Sequence, residues 1–98
     1  MNCVREKDVE SRLVSEVKKY GGICPKWVSP GFDGVPDRIV LMPGGRIGFV
    51  EVKAKGKHPR PLQTARLELL KCLGFPVFVL DDVADIEKII DEIGGGAL

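Results

Sequence analysis

Histidine is almost missing from this sequence. His58 is the only one, and the three cysteines, Cys3, Cys24 and Cys72, are scattered without a C-x-x-C pair. A structural zinc site needs four such ligands at close spacing, which excludes that class. An odd set of distant cysteines makes no disulfide framework and fits a reducing, intracellular, cytoplasmic setting. Cys72, inside an apolar helical pattern, reads as core. No run of about 18 apolar residues occurs, so no segment is expected to span a membrane. The opening MNCVREKDVE is charged and has no apolar signal segment, so secretion is not expected. Repeats, linkers and low-complexity stretches are also lacking, apart from Gly94-Gly95-Gly96.

The 98 residues suit one domain, 1–98, and are too few for two. With 44% hydrophobic and 30% charged residues, the chain can build a packed core and falls outside the disordered class. A core of this size leaves little spare stability, so pairing with a second copy would help. The net charge of only +1 hides an asymmetry. Residues 21–66 hold eight basic side chains (Lys26, Arg38, Arg46, Lys53, Lys55, Lys57, Arg60, Arg66) against three acidic ones (Asp33, Asp37, Glu51). Residues 67–98 hold two basic against seven acidic. A basic centre beside an acidic tail suggests one positive surface facing a polyanion, with simple solvation as the plain alternative.

Val9, Leu13, Val17 and Tyr20 form one helical stripe, which predicts a helix over 5–20 ended by Gly21-Gly22. Residues 23–28 can form a short strand, which Pro25 confines to an edge or an irregular position. SPGFDG at 29–34 is turn chemistry. Strands over 37–42 and 46–53, joined by Pro43-Gly44-Gly45, make a hairpin. The polar, basic loop 54–60 leads to Pro61, well placed at the start of a helix over 61–73 with apolar positions Leu62, Ala65, Leu69 and Leu73. FPVFVL at 75–80 is a continuous apolar run, as expected of a strand buried on both faces. Asp82 can cap a last helix striped by Val83, Ile86, Ile90 and Ile93. The order α-β-β-β-α-β-α predicts an α/β fold with a mixed sheet flanked by helices.

The sharpest chemical feature is Gly34-Val35-Pro36-Asp37, then thirteen residues, then Glu51-Val52-Lys53. Hairpin pairing about Gly44-Gly45 puts Asp37 roughly opposite residue 52, flanked by Glu51 and Lys53. The latter two leave the same sheet face. Two carboxylates and an amine would then converge beside a loop. Carboxylates bind hard cations such as Mg²⁺ or Mn²⁺, which polarise a phosphoryl oxygen and activate water. A nearby lysine can position that water and stabilise developing negative charge. The plain alternative is a salt-bridged sheet edge, with Glu51 paired to Lys53 and Asp37 capping a turn.

The series Gly34-Val35-Pro36-Asp37-Arg38, Glu51-Val52-Lys53, Gln63 opening the next helix and Gly74-Phe75-Pro76-Val77 before an apolar strand resembles the VRR-NUC family of the PD-(D/E)XK nuclease superfamily. Glu10 in a first helix, Gly21-Gly22 and Lys26 fit as well. The resemblance covers nearly the whole chain and is to the standalone, single-domain type. It implies a restriction-endonuclease-like core and Mg²⁺- or Mn²⁺-dependent cleavage of DNA, with branched DNA such as Holliday junctions or flaps as substrate. No small-molecule cofactor is implied. Asp37, Glu51 and the backbone carbonyl of Val52 would hold metal, and Glu10, with Glu6 as its rival, would approach it from the first helix. Lys53 would hold or activate the attacking water, and Gln63 would orient that water or Lys53. A symmetric homodimer would suit a two-fold symmetric junction, in the cytoplasm of a bacterial or phage-infected cell.

Lys55, Lys57, Arg60 and Arg66, with Lys26, could contact phosphates without reading bases. Trp27 and Phe32 could stack on a base, although burial is the ordinary reading. The metal mechanism has no need of His58. The leading expectation is a metal-dependent, structure-selective DNA endonuclease. The alternatives are a non-catalytic nucleic-acid-binding module of the same fold and a sequence-specific restriction-type enzyme.

Overall fold

A computed structural model of the chain describes residues 5–94. Helix α1 spans Glu6–Lys19, strand β1 Arg38–Met42, strand β2 Arg46–Val52, helix α2 Pro61–Cys72, strand β3 Val77–Leu80 and helix α3 Ile86–Ile93. A 3₁₀ turn, Val83–Asp85, leads into α3, and the Asp82 carboxylate accepts from the N–H of Ala84 at its start. The expected cap at Asp82 is therefore present. Cys3 and Gly95-Gly96 lie outside the described residues. No helix among the described residues is long and apolar enough to cross a membrane.

The sheet has three strands in the order β1-β2-β3, antiparallel between β1 and β2 and parallel between β2 and β3. It is a mixed sheet flanked by helices, as expected. Residues 23–28 do not add a fourth strand. They run along the free edge of β1 through two isolated bridges, Ile23 to Leu41 and Lys26 to Arg38. Pro25 explains the break: its carbonyl accepts from Ile39 N–H at 3.0 Å, but proline has no N–H to continue the ladder.

The pleat sorts side chains onto two faces. Val40, Met42, Val50, Val52 and Leu80 pack with Val9, Leu13 and Val17 of α1 and Ile86, Ile89, Ile90 and Ile93 of α3 in one apolar core. Gly48 lets α3 lie close on the sheet, since a Cβ at that position would stand 2.5 Å from Ile93. On the other face Phe49 packs between Trp27 and Phe75, with ring centroids 5.1 and 5.3 Å away.

Three apolar expectations are corrected. The stripe on α2 faces outward: Leu62, Leu69 and Leu73 are exposed, while Gln63, Leu67 and Leu70 are buried. Cys72 is likewise exposed rather than core, because it lies off that buried face, whereas Cys24 is buried. Strand β3 is an edge strand, not one covered on both faces. Its Val79 is 44% exposed, since β3 has β2 on one side only and α2 covers its other face in part.

Candidate active site

The hairpin turn is the three residues Pro43, Gly44 and Gly45, so Met42 pairs with Arg46 and Arg38 with Val50. Continued by one step, that register sets Asp37 opposite Glu51, not opposite residue 52. The outcome for the site is similar. Asp37 Oδ2 accepts from the N–H of Val52 at 2.8 Å, tying the end of one strand to the end of the next. Trp27 N–H donates to the Asp37 carbonyl at 3.0 Å, which anchors the same residue from the sheet edge.

Glu51 follows Phe49 on the aromatic face and is 1% exposed. Lys53, two residues on and on the same face, places Nζ 3.1 Å from Glu51 Oε2. The other oxygen, Oε1, is buried with no hydrogen-bond partner. Burial pushes the Glu51 carboxyl above its ordinary pKa, and the negative charge of Asp37 adds to that; the Lys53 ammonium pulls it down without cancelling the rise. A buried carboxylate oxygen without a donor is costly, so it marks a place where a cation or a proton belongs.

Gln63 is buried on α2. Its Oε1 accepts from the N–H of Arg60 at 2.9 Å, which caps the first turn of the helix. The amide nitrogen of the same side chain supplies two further N–H donors. Segment 29–36 brings the chain to Asp37 and leans on the same helix start. Gly34 has φ +83°, and a Cβ there would stand 2.7 Å from Leu62 Cγ. Only glycine suits both conditions.

Glu10 takes a different partner. Its Oε2 accepts from Arg38 Nε at 2.8 Å, and Arg38 Nη1 donates to the Cys24 carbonyl at 2.8 Å. Arg38 follows Asp37 directly, so the pleat turns its side chain to the α1 face, away from the Glu51 face. Among the described residues, no three His, Cys, Asp or Glu side chains converge as a metal-binding group. Asp37 and Glu51 stand as a pair. Glu6 is exposed in the first turn of α1.

A search of protein-family models found no match for the chain. It is 48% identical over 93 residues to "Putative nuclease p44" of Acyrthosiphon pisum secondary endosymbiont phage 1, across 95% of this chain and 99% of that protein. A solved structure described as "VRR_NUC domain" has a TM-score of 0.82 to it, with 32% identity, across 88% of this chain and 94% of that one. The chain belongs to the VRR-NUC nuclease family.

In this VRR-NUC chain the basic residues differ in how free they are. Lys26, Lys57 and Arg60 are exposed and take part in none of the ion pairs among the described residues. Lys55 Nζ is 2.7 Å from Asp82 Oδ2, and the N–H of Gly56 donates to Asp81 Oδ2 at 3.2 Å. The loop that follows Lys53 is thus fastened to two aspartates at the end of β3. Arg66 Nε donates to the Asp33 carbonyl at 2.7 Å, and its guanidinium lies 4.0 Å from the centroid of the Phe32 ring. The roles of Arg38 and Asp81, and the pairing of Asp82 with Lys55, were not read from the sequence. Only the charge excess of 21–66 against the acidic tail hinted that some of these groups would pair internally.

Proposed function

We propose that this VRR-NUC nuclease is a Mg²⁺- or Mn²⁺-dependent, structure-selective DNA endonuclease, with branched DNA such as Holliday junctions or flaps as substrate. The observation that carries the reading is the buried, unpartnered Oε1 of Glu51 beside Lys53 and Asp37. The donor set fits a hard divalent cation. Asp37, Glu51 and the carbonyl of Val52 would hold it, a short list of protein ligands of the kind Mg²⁺ takes. When bound, the metal supplies charge stabilisation at the phosphate and an acidified water.

The chain's own groups do the rest. Lys53, held at its post by Glu51, donates to the attacking water or to a phosphoryl oxygen as negative charge builds. Gln63, fixed by its cap to Arg60, offers its amide N–H groups to the same water. Water attacks phosphorus in line and the P–O3′ bond breaks, leaving a 5′-phosphate and a 3′-hydroxyl. Lys26, Lys57 and Arg60 are the free cations for the DNA backbone, and Lys55 joins them only by leaving Asp82. Glu10 reaches the metal only by leaving Arg38. Branch selectivity and a cytoplasmic homodimer rest on the family resemblance and on the small size of the chain.

The test is cleavage of labelled four-way junctions, flaps, duplex and single strands in Mg²⁺, Mn²⁺ or EDTA, beside Lys53→Ala. Metal-dependent cutting that ranks branched substrates first and is lost in Lys53→Ala is the expected result. Binding without cutting in every metal would replace the reading with a non-catalytic module. Equal cutting of junction and plain duplex would remove the branch selectivity.

A further inference from the structure

We propose that Arg66 is a positioning residue for Asp37, acting through Phe32-Asp33-Gly34, and is not one of the phosphate contacts. The proposal rests on the metal-site reading above. Arg66 lies one turn after Gln63 on α2 and is half-buried. Its Nε donates to the Asp33 carbonyl at 2.7 Å, and its central carbon sits over the Phe32 ring, 4.0 Å from the centroid. A planar, forked cation can do both at once; a lysine ammonium cannot.

The next residue, Gly34, is pressed on Leu62 of the same helix so closely that a Cβ would stand at 2.7 Å. Three consecutive residues are therefore clamped onto α2, by Arg66 on one side and Leu62 on the other. Asp37 follows only three residues later, and α2 also carries Gln63. The clamp sets how the segment bearing one metal ligand sits against the helix bearing the polar amide of the site. Among the described residues, no other side-chain hydrogen bond ties 29–34 to α2.

The experiment measures Mn²⁺ binding by titration calorimetry without nucleic acid, and the salt dependence of four-way-junction binding in EDTA, for wild type, Arg66→Lys, Arg66→Gln and Phe32→Leu. Phe32→Leu removes the ring while leaving the Asp33 contact available. Ile89→Val, in the α3 core, serves as a control for mere loss of stability, with melting curves for all. Arg66→Lys is expected to weaken Mn²⁺ binding about tenfold, as outer partners of a metal site do, and Phe32→Leu to weaken it less. Ile89→Val keeps the wild-type Mn²⁺ affinity. The salt slope of DNA binding stays at the wild-type value in Arg66→Lys and in Arg66→Gln. Unchanged Mn²⁺ affinity in Arg66→Lys overturns the proposal. So does a slope that drops by about 0.9 in Arg66→Gln, the mark of one lost phosphate contact. Wild-type protein that takes up no Mn²⁺ overturns the metal reading itself and the clamp's role with it; that outcome is told apart by the wild-type titration alone.

Discussion

The N–H of Val52 donates to Asp37 Oδ2 at 2.8 Å, so the strand that carries Glu51 also holds the other carboxylate of the pair in place. Asparagine can accept the same bond but brings no charge. Asp37→Asn is expected to melt near the wild-type temperature and to lose at least about a hundredfold in cleavage, as a charge-stabilising group does. Asp37→Ala also loses the bond, costing about 2 kcal/mol, or about 10 °C in a domain of this size. Melting curves beside cleavage rates check both. Full activity in Asp37→Asn would show that the carboxylate charge is not used.

Glu51 makes the protein's response to pH specific. The folded protein holds the Glu51 proton more tightly than the unfolded chain, whose ordinary value is 4.5. Its contribution to stability is full below that value and is lost as pH rises through the raised folded one. The melting temperature of wild type relative to Glu51→Gln should therefore fall as the pH is raised from 4.5. Metal needs the ionised carboxylate, so Mn²⁺ affinity should rise over the same span and uptake should release a proton. Calorimetry in two buffers of different ionisation enthalpy reads that proton. Its absence in buffer near pH 4.5 would contradict the assignment, and Glu51→Gln should abolish it.

Gly34→Ala tests the approach to Asp37. At φ +83° an L-residue costs about 1–2 kcal/mol, before the contact with Leu62 is counted. The variant should melt several degrees lower and cut more slowly. Adding Leu62→Ala, which clears the space but leaves the backbone strained, should restore part of the activity and little of the backbone cost. Activity that stays at the wild-type level in Gly34→Ala would mean that this segment does not set the geometry of the site.

Glu10 has two possible employments, and one variant separates them. Glu10→Gln keeps an acceptor for Arg38 Nε and should cost only about 1 kcal/mol of stability. A drop in Mn²⁺ affinity in that variant would place Glu10 among the groups acting on the metal. Unchanged affinity with a lower melting temperature would leave it as the partner that holds Arg38, and through Arg38 the Cys24 carbonyl.

Much of the molecule was legible in one dimension. The stripe Val9, Leu13, Val17 is buried as its spacing demands, the hairpin sits where its β-branched runs and Gly-rich turn put it, and Asp82 caps the next turn. Glu51 and Lys53 meet because residues two apart in a strand must share a face. Where the reading failed, a periodic pattern had two solutions. Leu62, Ala65, Leu69 and Leu73 make a helical stripe, but so do Gln63, Leu67 and Leu70 on the adjoining face. The second is buried, and Gln63 turns inward with it as the cap that accepts from the N–H of Arg60.

Charges divided in the same way. Eight basic residues in the central segment announced an anionic partner, yet Arg38, Lys55 and Arg66 are engaged by Glu10, Asp82 and Asp33. Those partners come from 28, 27 and 33 residues away, beyond the reach of any local spacing rule. Neighbours within a turn or a hairpin were enough to specify the three helices, the hairpin and the carboxylate pair with its lysine, and these carry the family membership. The outward face of α2 and which cations stay free emerge only in three dimensions, because they depend on which distant groups compete for the same space and the same charge.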